Sequence, residues 1–493
     1  MKSLVYGIDG GDSRIFDCFD MPFYEELSKK MSSLNIEEDL LNRGWSEIVT
    51  GRKGMDTGGL YMSPNLDGSH GFSMTYRMAD VPSKTTTKLL WDEIGSGVKV
   101  GVMNIPSLNP VPKVNGFVVG SAGAGISRIK NISPDVAFPE SVAKYLEKAG
   151  YIPDIRVGPS GITRIEELFS EVKRMERVRV DCFIDLVKKK DIQFGFLVDR
   201  ATAVIQYLFM SEIKAIMDRD CGATPDFEPT PLVESLLRDF YSFLDNNIQK
   251  LYEILGDNQF VLVSDHGQEP MTHHLNPNLL LQEGGYYFPG AVGGGSAFGK
   301  AYRHFFSLVP RRYRAFVRNR LSSSSVNMVE KIGAGFDKKK TVAFSHWYMP
   351  GVYLNDDRFY DVVTRDERKE LILDICHLIN ENSDSRKFGI SASPYRELYS
   401  NSPYSKLLPD IRINTPDSIF VTCRCEEFVS KNPGYGPVPD LSKVQSDMHT
   451  GSKARKPICL IDPQSASLIK DLNEVFDLTI VNELVKSFFK ENK

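Results

Sequence analysis

Short apolar runs alternate with amphipathic segments along much of the chain. Four of the apolar runs stop directly before polar residues: 4–8, 98–103, 194–198 and 260–263. Segments with apolar residues at helical spacing fall between or after them, at 138–149, 163–189, 232–255 and 366–382. This alternation predicts an α/β fold with a largely parallel central sheet.

Weaker patterns complete the predicted elements. Further strands are expected at 116–119, 341–344, 351–354, 411–413, 418–423 and 458–461. A short helix is expected at 45–52, closed by Gly51. The stretch 53–82 is rich in Gly, Ser, Asp and Met and has no period. A loop of that length in a compact domain is usually functional, so we expect it to form one wall of a site.

Acidic residues follow three of the predicted strands. The stretch 260–267 reads FVLVSDHG and delivers Asp265 and His266, while Asp9 and Asp199 end two other strands. Ligands of open α/β sheets bind at the carboxyl ends of the strands. Three carboxylates at one sheet edge repel each other and call for a cation. Helix capping is the alternative for one of them, and for Asp9 in particular.

Residues 285–330 interrupt the alternation. The part 284–299 is glycine-rich, and 301–321 interleaves six arginines with aromatic residues. A solvated helical insertion that packs its aromatic residues inward is the favoured interpretation. A weak contact with a membrane surface or an anionic polymer through 301–321 is the alternative.

Composition narrows the class of protein. The 493 residues carry a formal net charge of −4 and include 25% charged residues, which gives no sign of nucleic-acid binding. Seven cysteines are scattered without zinc-site spacing and indicate free thiols in a reducing compartment. The first apolar run is too short for a signal peptide, and no run approaches the roughly 18 apolar residues of a membrane span. We therefore expect a cytoplasmic protein.

Eight segments together point to a family. They are Asp9 after the first strand, GWSEIVTGR at 44–52, KVGVMNIPSLNP at 99–110, Asp199 after its strand, SDHG at 264–267, KTVAFSHWYMPGVYLN at 340–355, ELYSNSPYSKLLPDIRI at 397–413 and HTGSKARKP at 449–457. In this order they resemble the alkaline phosphatase superfamily, in particular its type I phosphodiesterase and phosphomutase-like branch. The resemblance implies one large domain over 1–493, with helices on both faces of the sheet and the arginine-rich segment 285–330 inserted into it.

The resemblance also implies a metal centre. One of the two sites of the family corresponds here to Asp9, Asp265 and His266, all suitable ligands. The other corresponds to Asp199, Ala203 and Lys453, of which only the aspartate is a ligand. His449, four residues before Lys453, could replace a lost ligand after a loop shift. We expect one divalent ion, with a second as the alternative; zinc or manganese suits such mixed oxygen and nitrogen donors.

The position of the family's nucleophile holds Leu41, which cannot attack phosphorus. Ser46 is the nearest hydroxyl if the loop carries a small gap, and Thr50 and Thr57 follow it. A water activated by the metal is another alternative. The sequence leaves these choices open.

Several charged and polar residues near the same block are candidates for contact with a phosphoryl group. Arg43, Arg52 and Lys453 could neutralise its oxygens, and Asn42 is a polar neighbour. Each of the cations could equally be a solvated surface charge. Lys453 could also supply part of the charge of a missing second ion.

The resemblance therefore favours a metal-dependent phosphoester hydrolase or phosphotransferase, of phosphodiesterase or phosphatase type. Its substrate would be a phosphodiester or a phosphorylated small molecule such as a sugar or lipid head group. The second hypothesis is a catalytically degenerate member that binds a phosphorylated ligand or a partner without turnover, as Leu41, Ala203 and Lys453 favour. A membrane-surface adaptor that uses 301–321 is the third.

Overall fold

The computed structural model describes residues 1–121, 135–155, 157–158, 161–256, 258–290, 336–437, 441–442 and 449–491. The strands in chain order are β1 Ser3–Ile8, β2 Ser32–Ser33, β3 Asn35–Ile36, β4 Ser63–Pro64, β5 Phe72–Ser73, β6 Val100–Ile105, β7 Gly116–Gly120, β8 Ala137–Phe138, β9 Phe194–Asp199, β10 Gln259–Val263, β11 Gly267–Pro270, β12 His273–Leu275, β13 Ala343–Ser345, β14 Gly351–Leu354, β15 Ser391–Pro394, β16 Ile411–Asn414, β17 Ile419–Val421, β18 Val429–Lys431, β19 Gly451–Ala454, β20 Cys459–Ile461 and β21 Val475–Phe476.

The central sheet has eight strands in the order β2-β20-β10-β1-β9-β6-β7-β8. Strand β1 pairs in parallel with both β9 and β10, and β6 continues the parallel set between β9 and β7. Antiparallel pairs join β20 to β10, β2 to β20 and β8 to β7. The prediction of a largely parallel sheet is confirmed. Because β1, β9 and β10 are parallel neighbours, their carboxyl ends meet at one edge.

Helices cover both faces of this sheet. The first eleven are α1 Ser13–Phe16, α2 Pro22–Lys30, α3 Gly44–Thr50, α4 Gly54–Thr57, α5 Val81–Lys84, α6 Leu90–Glu93, α7 Glu140–Lys148, α8 Ile165–Lys190, α9 Ala201–Asp220, α10 Pro231–Glu253 and α11 Pro277–Glu283; Arg368–Glu381, Ser383–Phe388, Pro463–Ser467 and Thr479–Glu491 follow. Helices α2 and α7 to α10 pack on one face, and α3, α6 and the C-terminal helix pack on the other.

Alternate residues of the central strands fill these two cores. In β9, Phe194, Phe196 and Val198 face the core under α3, while Leu197 faces the core under α8 to α10. Every one of these side chains is buried, as expected of a strand covered on both faces. Even-numbered and odd-numbered residues of β9 therefore point to opposite faces of the sheet, and this also holds for its polar residue.

Smaller antiparallel sheets lie outside the central one. Strands β13, β14, β16 and β15 form a four-stranded sheet that packs with Arg368–Glu381 around its own core. Strands β11 and β19 form a two-stranded sheet that sets Lys453 opposite Gln268. This pairing brings the segment before the last central strand back to the edge where β10 ends.

Several expectations about organisation are only partly covered by the described residues. Most of the predicted insertion 285–330, including all of 301–321, lies outside them. The division into one domain and the cytoplasmic location stay predictions. In the described part of the chain no helix has both the length and the apolar character that a membrane crossing requires. All seven cysteines are free thiols, as predicted.

Candidate metal centre

Two adjacent strands deliver a cluster of one imidazole and two carboxylates to the sheet edge. Asp9 is the first residue after β1, and Asp265 and His266 follow the end of β10. One ligand atom from each lies within 4.8 Å of the other two. Nε2 of His266 is 3.5 Å from Oδ1 of Asp9 and 3.6 Å from Oδ2 of Asp265. These three buried residues are called the metal cluster below.

The orientation of the His266 ring suits a metal ligand. Its Nδ1 lies 2.8 Å from the carbonyl oxygen of Gly267. A carbonyl oxygen only accepts, so Nδ1 carries a proton. Nε2 faces the two carboxylates and is the ring nitrogen left to bind an ion. Metal-binding histidines are commonly held in this way, by a hydrogen bond from the nitrogen that does not bind the ion.

The pKa values of the two carboxylates are shifted in opposite directions. Burial raises the pKa of the Asp265 carboxyl, and the neighbouring charge of Asp9 adds to the increase. Burial also acts to raise the pKa of Asp9, but His266 and the Arg200 guanidinium outweigh it and hold this pKa well below its usual range. Oδ1 of Asp265 is buried and has no hydrogen-bond partner among the described residues. An unpartnered carboxylate oxygen beside a second carboxylate fits a divalent cation with mixed oxygen and nitrogen donors.

Helix α3 forms the wall behind the cluster. The Trp45 indole lies across Gly7 so closely that a Cβ there would be 2.4 Å from the ring, and its Nε1 donates to Oδ2 of Asp9 at 3.4 Å. Gly44 abuts Asp265 in the same manner. The helix ends at Gly51 with φ of 61°, a left-handed conformation that glycine adopts without strain, as predicted.

Of the candidate nucleophile positions, Ser46 and Thr50 lie in α3, whereas Leu41 precedes this helix and Thr57 follows it in α4. Leu41 is buried in an apolar cluster of its own. Oγ of Ser46 lies 2.7 Å from the hydroxyl of Tyr76, and Oγ1 of Thr50 donates to the Ser46 carbonyl at 2.6 Å. Oγ1 of Thr57 donates to the carbonyl of Lys53, four residues earlier, at 3.3 Å. Within the described ranges no hydrogen bond joins these hydroxyls to the metal cluster, and Ser46 stays a prediction as the nucleophile.

Asp199 does not join the metal cluster. It is the last residue of β9 and pairs in register with Ile8, so its side chain points to the same face as Ile8 and Tyr6. The hydroxyl of Tyr6 donates to Asp199 at 3.3 Å, and the N–H of Ala201 donates at 2.7 Å. Burial raises the pKa of Asp199, although the Arg179 guanidinium opposes this. The predicted convergence of three strand-end carboxylates therefore holds for two of them.

The candidate phosphoryl contacts are spread over different environments. The Arg43 guanidinium donates to the carbonyls of Leu60, Tyr61 and Met74, which fixes the predicted loop wall against the site. Arg52 is exposed, at the end of α3 away from Asp265. Both side-chain polar atoms of Asn42 are buried without a hydrogen-bond partner in the described part of the chain.

Lys453 is the predicted cation that reaches the cluster. Its Nζ lies 4.0 Å from Oδ2 of Asp265 and 3.6 Å from the centre of the Tyr61 ring. His449 lies further away, since its ring stacks on Tyr207 with centroids 5.5 Å apart, and Tyr207 in turn lies 6.4 Å from the ring of His266. The structure thus places His449 behind an aromatic ring rather than within the cluster.

Sequence reasoning missed two kinds of residue at this site. Arg200 approaches Asp9, with Nε 3.4 Å from Oδ2, and its only signal was that it follows Asp199 directly. The rings of Tyr61 and Tyr207 enclose the cluster, and burial raises the pKa of the Tyr207 hydroxyl. Isolated tyrosines in a loop and in a helix carry no sequence signal for such a role.

Comparison with known proteins rests on structure alone. No protein-family model and no curated protein matches the sequence. Phosphonoacetate hydrolase from Sinorhizobium meliloti 1021, in complex with phosphonoacetate, is 11% identical with a TM-score of 0.53, over 99% of this chain and 96% of that one. Murine ectonucleotide pyrophosphatase/phosphodiesterase 5 is 12% identical with a TM-score of 0.46, over 99% and 95%. Alkaline phosphatase PafA is 12% identical with a TM-score of 0.44, over 99% and 95%. The chain therefore has an alkaline-phosphatase-like fold, as the sequence resemblance predicts.

Proposed function

We propose that this protein is a metal-dependent phosphoester hydrolase or phosphotransferase that acts through one divalent cation, zinc or manganese. The observation that carries the proposal is the metal cluster itself. Asp9, Asp265 and His266 lie within reach of one ion, Nε2 of His266 faces the carboxylates, and one oxygen of Asp265 lacks any other partner in the described chain. The fold is shared with a phosphonoacetate hydrolase, a protein that acts on a phosphorus compound.

The residues around the cluster have separable tasks in such a reaction. A divalent cation supplies positive charge to a phosphoryl oxygen and acidifies a water or hydroxyl beside it. Asp9 and Asp265 would hold the ion, and a hydrogen bond from Trp45 orients Asp9. Lys453, near Asp265, would bind a second phosphoryl oxygen. The Tyr61 ring beneath its ammonium group holds that charge in place.

The attacking group in this proposal is a water rather than a side chain. Leu41 occupies the position at which the resemblance puts the nucleophile, and it packs among apolar residues. Ser46 is engaged with Tyr76. A water would need no nucleophilic side chain, because an ion held by the metal cluster would lower its pKa and let its proton leave to solvent.

A second function is favoured by the same observation. A chain without a nucleophilic side chain at the cluster could hold a phosphorylated ligand or a partner without turnover. This binding protein would keep the cation and Lys453, since both serve recognition as well as catalysis. The two functions therefore share the metal and differ only in turnover.

Metal analysis combined with a substrate screen tests the proposal. Purified chain is saturated with Zn²⁺ or Mn²⁺, desalted, and assayed for bound metal and for hydrolysis of aryl phosphate monoesters and diesters. Wild type should retain one ion per chain and hydrolyse one ester class. Asp265→Asn should lose both properties, whereas Asp357→Asn, at an exposed aspartate, should lose neither.

The outcomes separate the two functions. Stoichiometric metal with no turnover of any ester would favour the binding protein. Absence of stoichiometric metal in wild type, with Asp265→Asn behaving identically, would refute both.

A further inference from the structure

Among the described residues, the positions that the family pattern assigns to a second ion do not supply a full set of ligands. The pattern assigns it to Asp199 and to the positions of Ala203 and Lys453. The Asp199 carboxylate accepts hydrogen bonds on the opposite face of the sheet from Asp9, and Ala203 is buried and has no ligand atom. An ammonium group cannot coordinate a metal, so Lys453 adds no ligand. The residues present do not fit a second cation.

Arg200 approaches the metal cluster at Asp9. It directly follows β9, and its side chain turns toward the end of β1. Its Nε is buried, 3.4 Å from Oδ2 of Asp9, and has no hydrogen-bond partner in the described ranges. Its Nη1 donates to Asp154 at 2.8 Å, which fixes the guanidinium group. The Nη2 group makes no hydrogen bond to any described residue and is left for a ligand.

Lys453 approaches the metal cluster at its other carboxylate, Asp265. Arg200 lies against Asp9, and the Nζ of Lys453 lies 4.0 Å from Asp265. Both side chains are mostly buried, with exposed fractions of 26% and 14%. Two such cations beside the cluster are available to an anion that the cluster's ion would bind.

The charged side chains around the metal cluster favour a bound anion only when a divalent ion is present. The carboxylates of Asp9, Asp154 and Asp265 outnumber the two neighbouring cations, Arg200 and Lys453, by one. A divalent ion would change the summed charge of these five groups from −1 to +1. The empty site should therefore repel phosphate, and the metal-loaded site should attract it.

We propose that Arg200 and Lys453 together form an anion-binding site that replaces the second cation, with Arg200 binding one oxygen of a phosphoryl group and Lys453 another. The inference rests on the proposed function, because it needs the single ion at the metal cluster. It adds Arg200 as a substrate-binding residue. The Nη2 group of Arg200 is suited to this task, since a guanidinium N–H donates a strong hydrogen bond to a phosphate oxygen.

Calorimetric titration of orthophosphate into the Zn²⁺- or Mn²⁺-loaded protein tests this inference without an activity assay. Arg200→Gln should weaken phosphate binding about tenfold or more, because a hydrogen bond to a charged group is lost. The bound metal should stay at one ion per chain in both proteins. Arg365→Gln, at an exposed arginine outside the site, should bind phosphate like wild type.

A second variant separates ligand binding from a structural role. Asp154→Asn removes the same ion pair but keeps the guanidinium group, and it should bind phosphate at least as tightly as wild type. Equal weakening in Asp154→Asn and Arg200→Gln, with matching losses of thermal stability, would mean that Arg200 only supports the structure and would overturn the inference. Two bound ions per chain, or unchanged phosphate affinity in Arg200→Gln, would overturn it as well.

The failure of the proposed function looks different from the failure of this inference. If wild type binds no metal, the proposed function falls. If wild type binds one ion but no phosphate, the proposed metal site stands and the anion-binding site is refuted.

Discussion

Replacing Gly44 with alanine should damage the metal centre without touching a ligand. Gly44 is the first residue of α3, and a Cβ at this position would lie 2.5 Å from the carbonyl oxygen of Asp265 and 2.8 Å from its Cβ. It would also lie 2.6 Å from Cδ1 of Leu478. Ordinary van der Waals contact begins at 3.4 Å. Asp265 or the helix must therefore move by about 0.9 Å.

The helix itself has little freedom to move away. The side chain of Asn482 donates to the carbonyls of Ile48 and Val49, which ties α3 to the C-terminal helix. The new methyl group therefore pushes on Asp265. Metal sites tolerate displacements of only about 0.2 Å in ligand distance. We expect Gly44→Ala to weaken Zn²⁺ or Mn²⁺ affinity by about tenfold or more, and to lower the free energy of unfolding by about 1–3 kcal/mol.

Competition with a chromogenic chelator measures the metal affinity, and urea denaturation of the metal-free protein measures the free energy of unfolding. Gly97→Ala is the matched control, since a Cβ at Gly97 would meet no atom within 4 Å. It should leave both quantities near their wild-type values. If Gly44→Ala keeps metal affinity within about twofold of wild type, Asp265 is not held against α3 as described, and the reasoning fails.

Three further predictions concern metal, pH and buried charge. Removing metal with a chelator should lower the melting temperature of wild type but not of Asp265→Asn, since an ion present at 100 times its dissociation constant adds about 2.7 kcal/mol, measured by calorimetry. Burial and Glu38 raise the pKa of Glu47 in the folded state. The free energy of unfolding should therefore fall as pH rises above the unfolded pKa of about 4.3. In urea titrations, Glu47→Gln should be more stable than wild type, by a larger margin at pH 8 than at pH 5. Asp410→Asn should lower the free energy of unfolding by about 3–5 kcal/mol, because Asp410 is fully buried and accepts from three arginines, whereas exposed Asp357→Asn should change it by less than about 0.5 kcal/mol.

The central sheet and the edge that carries the metal cluster could be predicted from the sequence, because each strand has its own apolar run of neighbouring residues. Runs such as 194–198 and 260–263 are continuously apolar, which is typical of strands covered on both faces, and the strands β9 and β10 follow them closely. Parallel pairing then brings the residues after β1 and β10 together. The metal cluster follows from these two facts and the resemblance.

The helix α9, Ala201–Asp220, was not predicted. Thirteen of its residues are buried, and they include polar ones such as Gln206 and Glu212 as well as apolar ones. A helix that is covered nearly all round has no polar face, so it lacks the 3.6-residue period by which α8 and α10 were recognised. Because this helix starts beside the site, missing it also hid Arg200 and Tyr207.

The placement of Arg200 follows from the point at which each strand ends. Asp9 is the first residue after β1, and Asp265 is the second after β10, so both have left the strand ladder and can turn to the sheet edge. Asp199 is still the last residue of β9, paired with Ile8, and the pleat holds it to one face. Arg200 is the first residue after β9, just as Asp9 is the first residue after β1. Because β9 extends through Asp199, the first residue beyond the strand is Arg200, so a guanidinium rather than a carboxylate lies at the sheet edge. In this chain, the two strand-end acids that join the metal cluster lie beyond the last residue of their strands, and Asp199, which does not join it, is still within its strand.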